Sequence, residues 1–409
     1  MGDDCEYRLV RLTAIALAGR EWRVATRPAL GEVASASPVE QLLAAQAQLI
    51  PGQRVLVSPC GHGLVAAWAA ATCGPERVVA MDTDAIALDL TRQTLAANGL
   101  AACSAVAGAP AGGAAEPFEV GLLALPKGRA LARLHLLGMA LSLAPGGELY
   151  LAGANNAGIQ SVLGDAERLL GPGELLAYRK GHRVARFRRP PLDPTQLPAP
   201  FDEPGLLPGT YRDVPVVVGP HALTLRSRPG VFSHGELDAG TAMLLANLRV
   251  HPGERVLDWG CGAGVIGLVA ALIAGPEAVT LLDVDALACE CAAASLAANG
   301  LAGVRVILGD GLAALPEGER LDLIVSNPPF HSGHEVNLRI TAALIAEAFA
   351  ALEPRGRLVL VANRFLPYGR LLSEVFGAVE TLAADGRYQV LSAAKSRARR
   401  PVPRRDSSS

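Results

Sequence analysis

The chain has 409 residues, half of them apolar and 19% charged, with a formal net charge of −2 at pH 7. Such a length accommodates about two ordinary domains, and the apolar share excludes a disordered or fibrous chain. The near-neutral balance excludes a uniformly basic surface, so a polyanionic partner would have to meet locally concentrated positive charge.

The seven cysteines are scattered, with no C-x-x-C pair and no histidine cluster at ligand spacing. This pattern argues against a metal site and against a disulfide framework, and it fits a reducing compartment. The amino terminus starts acidic without a sustained apolar core, which makes a poor signal peptide. Long Ala/Leu stretches are cut by Gly, Pro, Asn or charge before they reach the length of a membrane span. A soluble cytoplasmic protein without a membrane association is expected.

In chain order, Pro51 to Leu100 reads as strand, glycine-bearing turn, helix, strand, helix. It aligns without a gap to Pro252 to Leu301, sharing P-G-x-R-V-L, G-P-E, D-x-D-A and L-A-A-N-G-L. Two copies of one domain are therefore expected. Phe118 to Leu123 reads as a later strand, and Leu143 to Leu149 as a turn leading into another. Pro190 to Pro208, rich in proline and lacking periodicity, is the natural linker. In the second copy, Arg255-Val256-Leu257 reads as a buried parallel strand. Val265 to Ile273 is apolar nearly all round and should be a helix buried against a sheet. Val279 to Leu282 is the next strand, and Ala286 to Ala298 a helix stopped by Asn299-Gly300. Leu321 to Ser326 and the turn at Leu352 to Leu358 repeat the end of the first copy. Each copy should build an open, mostly parallel α/β sheet. The expected division is 1–189, a linker 190–208, 209–395, and a basic, disordered tail 396–409.

Ligands in open α/β sheets bind at the carboxyl ends of the strands. In the second copy the first such loop is Asp258-Trp259-Gly260-Cys261-Gly262-Ala263-Gly264. Its glycines, Gly260, Gly262 and Gly264, let a ligand lie against bare backbone before the N–H groups of the next helix. Asp283, ending the second strand, can accept both hydroxyls of a ribose, and Asp310, ending the third, can accept from an adenine amino group. Asn327-Pro328-Pro329-Phe330 follows the fourth strand. The Asn327 amide oxygen and the Pro328 carbonyl can both accept from one –NH₂ group, while Phe330 offers a face to the ring that carries it. Asn327, Pro328 and Phe330 are thus the candidate catalytic residues, acting on a planar nitrogen. In the first copy Val57 stands at Asp258, Pro59 at Gly260 and Ala124 at Asn327, whereas Gly61 and Asp82 survive. The first copy should be a scaffold.

Further motifs are Pro229-Gly230-Val231-Phe232-Ser233, Asp238-x-Gly240-Thr241, N-P-P-F-H-S-G at 327–333 and Ala362-Asn363-Arg364-Phe365-Leu366-Pro367-Tyr368. With the D-W-G-C-G-A-G-V-I-G loop, the whole chain resembles the bacterial rRNA guanine-N2 methyltransferases of small- or large-subunit type. The resemblance implies tandem Rossmann-like class I methyltransferase domains, the first degenerate, and S-adenosylmethionine as cofactor. It implies cofactor contacts from Asp258, Gly260, Gly262, Asp283, Asp310 and Asn327. It also implies base or substrate contacts from Pro329, Phe330, His331 and Arg364, with His331 the candidate proton acceptor. Ribosomal RNA or a ribosomal subunit is the implied partner, the small-subunit RNA being favoured, and the duplication suggests a pseudo-dimeric monomer. The loop chemistry alone also admits adenine N6 or a protein glutamine amide as target, or a non-catalytic RNA-binding or assembly protein. A target base must be unpaired or flipped out to reach such a pocket. Candidate phosphate contacts are Arg179, Lys180, His182, Arg183, Arg186, Arg188 and Arg189, and in the tail Lys395, Arg397, Arg399, Arg400, Arg404 and Arg405.

Overall fold

The computed structural model describes residues 7–328 and 334–396. Two seven-stranded sheets with the same strand order dominate it. In the second copy the strands lie as Arg305–Leu308, Val279–Asp283, Val256–Trp259, Leu321–Ser326, Leu352–Asn363, Tyr388–Ala394 and Glu380–Ala384. The first five are parallel, and the last two add antiparallel. In the first copy the order is Ser104–Ala107, Val78–Asp82, Val55–Ser58, Phe118–Ala124, Leu143–Ala154, His182–Arg188 and Glu174–Arg179, with the same directions. Each chain half is therefore a Rossmann-like α/β domain. Strand order reverses at Val256–Trp259, so a crevice opens beyond its carboxyl end.

The central strands are apolar throughout because helices cover both sheet faces: Val256, Leu257, Leu323, Ile324 and Val325 are fully buried. The helix Val265–Ala274 is less enclosed than its composition suggests. Leu272 and Ile273 are 39% and 37% exposed, on the face turned away from buried Ala271 and Ala274. The turns expected near Leu352 and Leu143 are excursions within one strand. Leu321 pairs with Leu352 and Leu323 with Arg357, leaving the intervening residues looped out with Arg355 at φ 77°. The first copy repeats this between Phe118–Leu143 and Val120–Glu148.

Each domain is preceded by an antiparallel hairpin that the sequence reading did not anticipate, Arg11–Leu17 with Arg20–Thr26 and Arg212–Val218 with His221–Ser227. Alternating burial along Arg212–Val218 is the period-2 signal that marks it. The hairpins dock by matching bonds. Asn98 brackets the Arg23 backbone and Asn299 the Thr224 backbone, while the Thr94 and Ser295 hydroxyls accept from the Ala25 and Arg226 amides. The two halves face each other about a pseudo-twofold axis: Ala85 N–H donates to Val284 O at 2.9 Å and Ala286 N–H to Thr83 O at 2.7 Å.

The 190–208 segment is not a free linker. Phe201 is 0% and Leu206 2% exposed, in one cluster with Leu134 and Leu137 of the first domain and Leu287 and Cys291 of the second. Buried Arg228 holds the segment's end through the carbonyls of Gly205 and Leu206 and pairs with Glu290. Phe201→Ala is expected to cost about 3–5 kcal/mol of stability, the usual penalty for emptying a packed aromatic site. Denaturant unfolding followed by circular dichroism measures it; an unchanged midpoint would show that the segment does not join the domains.

Candidate active site

Beyond the carboxyl ends of the second-copy strands lies a pocket of about 570 Å³. Its lining includes Trp259, Gly260 and Gly262, Asp283, Asp310, and Ser326, Asn327 and Pro328, so four successive strand ends meet there. A Cβ at Gly260 or Gly262 would meet nothing within 4 Å, and their φ values of 75° and 54° favour glycine. The loop thus presents bare backbone to the cavity.

Gly264 does something else. It caps the helix Val265–Ala274 with φ 88°, and a Cβ there would sit 3.1 Å from Leu281 Cδ2 and 3.2 Å from Ala292 Cβ. It is not among the lining residues; its role is close helix packing, which explains why Gly63 is kept in the first copy. Asp283 accepts from Gly262 N–H at 2.9 Å and Asp285 N–H at 3.0 Å. Asp82 makes the same two bonds to Gly61 and Asp84. This acid therefore braces the glycine loop as well as facing the pocket, and that first task accounts for its survival in a copy without the others. Burial raises the pKa of Asp283.

Asp258 is 0% exposed and lies off the lining. Its Oδ2 accepts from Gly267 N–H at 2.8 Å, its Oδ1 has no donor among the described residues, and burial pushes its pKa up to about 7. Asn327 is held by a pair of groups to which no task was assigned from sequence. Its Nδ2 donates to Thr241 Oγ1 at 2.8 Å and to Asp238 Oδ2 at 3.2 Å. An ionised carboxylate only accepts, so the amide must turn its nitrogen to Asp238 and leave Oδ1 as the free end. That Oδ1 is buried without a partner among the described residues. Asp238 is itself fixed as the cap of the helix Ala239–Asn247, accepting from Thr241 N–H at 2.9 Å. The Asn327 acceptor, without a donor among the described residues and on the pocket lining, suits an occupant that brings an amine donor, whereas Asp258 lies behind the loop and acts on the pocket through its charge.

Asp310 faces the pocket, but its carboxylate is already engaged from the first domain by Arg27 and Tyr7. Tyr7, Arg8, Leu30, Asp84 and Ile86 join the lining, a contribution between chain segments too distant for sequence spacing to reveal. Arg364 stays outside: it is exposed and donates to Asp385 O at 2.9 Å. Pro329, Phe330 and His331 lie outside the described residues, as do Arg397, Arg399, Arg400, Arg404 and Arg405. Of the other candidate phosphate contacts, Arg186 and Arg188 are paired with Glu148, Arg186 also with Glu174, and Arg189 and Lys395 donate to backbone carbonyls. Arg179 and Lys180 are exposed at the hairpin end.

The equivalent corner of the first domain is rebuilt. Ser37 replaces Asp238 and Glu40 replaces Thr241, forming a capping box, and Glu40 Oε1 lies 3.3 Å from His62 Nε2. With Ala124 at the amide's position, nothing there holds an amine.

The methyltransferase small domain family matches residues 34–186 and 222–392, one match in each half. The chain is 40% identical over 276 residues to ribosomal RNA small subunit methyltransferase C of Pseudomonas aeruginosa, covering 67% of this chain and 79% of that protein. It is 40% identical over 279 residues to the same enzyme of Pseudomonas entomophila, covering 68% and 80%. The solved T. thermophilus 16S rRNA N2 G1207 methyltransferase (RsmC), in complex with AdoMet and guanosine, superposes with a TM-score of 0.75. It is 30% identical, across 96% of this chain and 99% of that one. The chain belongs to the methyltransferase small domain family, as a tandem protein of the small subunit methyltransferase C kind.

Proposed function

We propose that the protein transfers a methyl group from S-adenosylmethionine to the exocyclic N2 of a guanine in small-subunit ribosomal RNA. The observation that carries this reading is the Asn327 amide. It is locked by Asp238 and Thr241 with its oxygen unpartnered at the pocket, next to bare glycine backbone and two strand-end acids. When bound, S-adenosylmethionine supplies an electrophilic methyl group. Asn327 Oδ1 and the Pro328 carbonyl then accept from the two hydrogens of the guanine amine. That lone pair is delocalised into the ring, and these two acceptors draw the nitrogen toward the tetrahedral geometry that attack requires. Orientation of this kind is worth on the order of 7–11 kcal/mol.

The second domain, 209–395, is the catalyst in this reading, and 1–189 is its degenerate companion. Asp283 serves the ribose hydroxyls while bracing the loop, and Gly260 and Gly262 admit the ligand to the backbone. The family resemblance assigns the guanine ring's contacts to Phe330 and His331, which lie outside the described residues. Among the described residues no helix is long and apolar enough to cross a membrane. The cytoplasm, where ribosomal subunits are modified, is the proposed compartment, and a monomer with internal pseudo-symmetry the proposed form.

Labelled methyl transfer to naked ribosomal RNA, small subunits and large subunits, followed by nucleoside analysis, tests the assignment. N2-methylguanosine from small-subunit material is expected. Label in adenosine or in protein would replace the target, and no transfer to any of them would overturn the reading.

A further inference from the structure

The first domain has lost its own site, yet it closes one wall of its neighbour's. Arg27 Nη1 donates to Asp310 Oδ2 at 2.5 Å, and the Tyr7 hydroxyl to Asp310 Oδ1 at 3.4 Å. The Arg27 guanidinium lies over the Tyr7 ring, 5.7 Å from its centroid. Its side chain is only 7% exposed, and its Nε has no acceptor among the described residues. Burying a guanidinium against a single carboxylate is a poor route to stability, because desolvation offsets most of the attraction.

The pseudo-symmetry points to function instead. Arg228 is the equivalent of Arg27, each followed by proline at the end of its hairpin, and Ala109 is the equivalent of Asp310. Arg228, with no acid across the interface among the described residues, pairs with Glu290 of its own domain. Of these two equivalent arginines, only the one facing the pocket that retains its amide and open glycine loop pairs with an acid across the interface, where Arg8 also pairs with Glu347.

We propose that Arg27, assisted by Tyr7, is a positioning residue of the cofactor site, holding the Asp310 carboxylate so that it accepts from the adenine amino group of S-adenosylmethionine. The proposal rests on reading the pocket as the cofactor site. A carboxylate has about four acceptor positions, so one bond to Arg27 and one long bond to Tyr7 leave Asp310 able to accept another. By pinning Oδ2, Arg27 fixes the carboxylate plane; without it the side chain is free to rotate away from the pocket. The degenerate domain is then a working part of cofactor recognition.

The test is calorimetric titration of the full chain with S-adenosylhomocysteine and with its analogue carrying hydrogen in place of the 6-amino group. The unmodified protein is expected to bind the analogue roughly tenfold more weakly, the scale of one hydrogen bond to a charged group. In Arg27→Met the affinity for S-adenosylhomocysteine should fall to near that of the analogue, whose own affinity changes about twofold or less. Arg27→Lys should recover part of the preference, and it carries the same comparison if the methionine variant fails to fold. If Arg27→Met weakens both ligands by one factor, or leaves the preference intact, Arg27 is structural only and the proposal falls. Equal binding of both ligands by the unmodified protein also overturns it while leaving the cofactor reading in place. Binding of neither ligand would remove the cofactor reading itself, and the proposal with it.

Discussion

Asn327→Ala is expected to slow methyl transfer to RNA by about a hundred- to a thousandfold, the scale of removing one oriented polar group from a transition state. The affinity for S-adenosylhomocysteine should change far less, within about fivefold. Only Oδ1 of the amide is free to meet the amine, because Nδ2 is committed to Thr241 and Asp238. Truncation removes that acceptor but leaves Asp238 capping its helix through Thr241 N–H, so the local fold keeps its support. Single-turnover transfer of labelled methyl to small-subunit RNA, with calorimetry on the same preparation, separates the two effects. A normal transfer rate would show that the amide does not hold the target amine.

Asn327 was legible in sequence because its signal is local: an amide and prolines directly after an apolar strand. Asp283 was legible for the same reason, although its second task, bracing Gly262, was not. Gly264 shows where local reading errs. A glycine that admits a ligand and a glycine that lets a helix approach Leu281 and Ala292 occupy the same kind of loop, and only the contact geometry separates them. Charge runs show what else local reading omits. Arg186, Arg188 and Lys395 read as candidate phosphate contacts, and in the fold they also meet Glu148, Glu174 and the Leu352 carbonyl. The proline-rich 190–208 segment lacked periodicity because it is neither helix nor strand, yet Phe201 and Leu206 bury it. Least accessible was Arg27, whose partner Asp310 lies 283 positions away. A contact across the interface of two folded domains leaves no periodicity or spacing to read. The pseudo-symmetry of the copies makes it interpretable only after the fold is known.

Asp258 carries the second large effect, and its direction is opposite for stability and for binding. The carboxyl is fully buried with one backbone donor, and its pKa rises from 3.8 to about 7, first from burial, with the nearby Asp283 carboxylate adding to it. The folded state therefore holds this proton more tightly than the unfolded chain. The associated stability is complete below about pH 4 and is lost as pH rises through about 7. At pH 8 the loss amounts to roughly 4 kcal/mol. Asp258→Asn removes the ionisation while keeping the shape, so the ligand-free variant should melt at a higher temperature than the unmodified protein at pH 8 and close to it at pH 4. Binding should move the other way. An ionised Asp258 near the pocket favours a ligand bearing an ammonium group through a low-dielectric interior. Affinity for S-adenosylhomocysteine should therefore rise as pH increases through 7 in the unmodified protein. In the variant it should be about tenfold weaker at pH 8, with that rise abolished. Thermal melts at the two pH values and calorimetry from pH 6 to 8 measure both halves. A variant no more stable at pH 8, with the pH dependence of binding intact, would place the titrating charge elsewhere. The expected pair of results would mean that the ligand-free protein carries a cost in its buried acid, which the positively charged end of the ligand relieves.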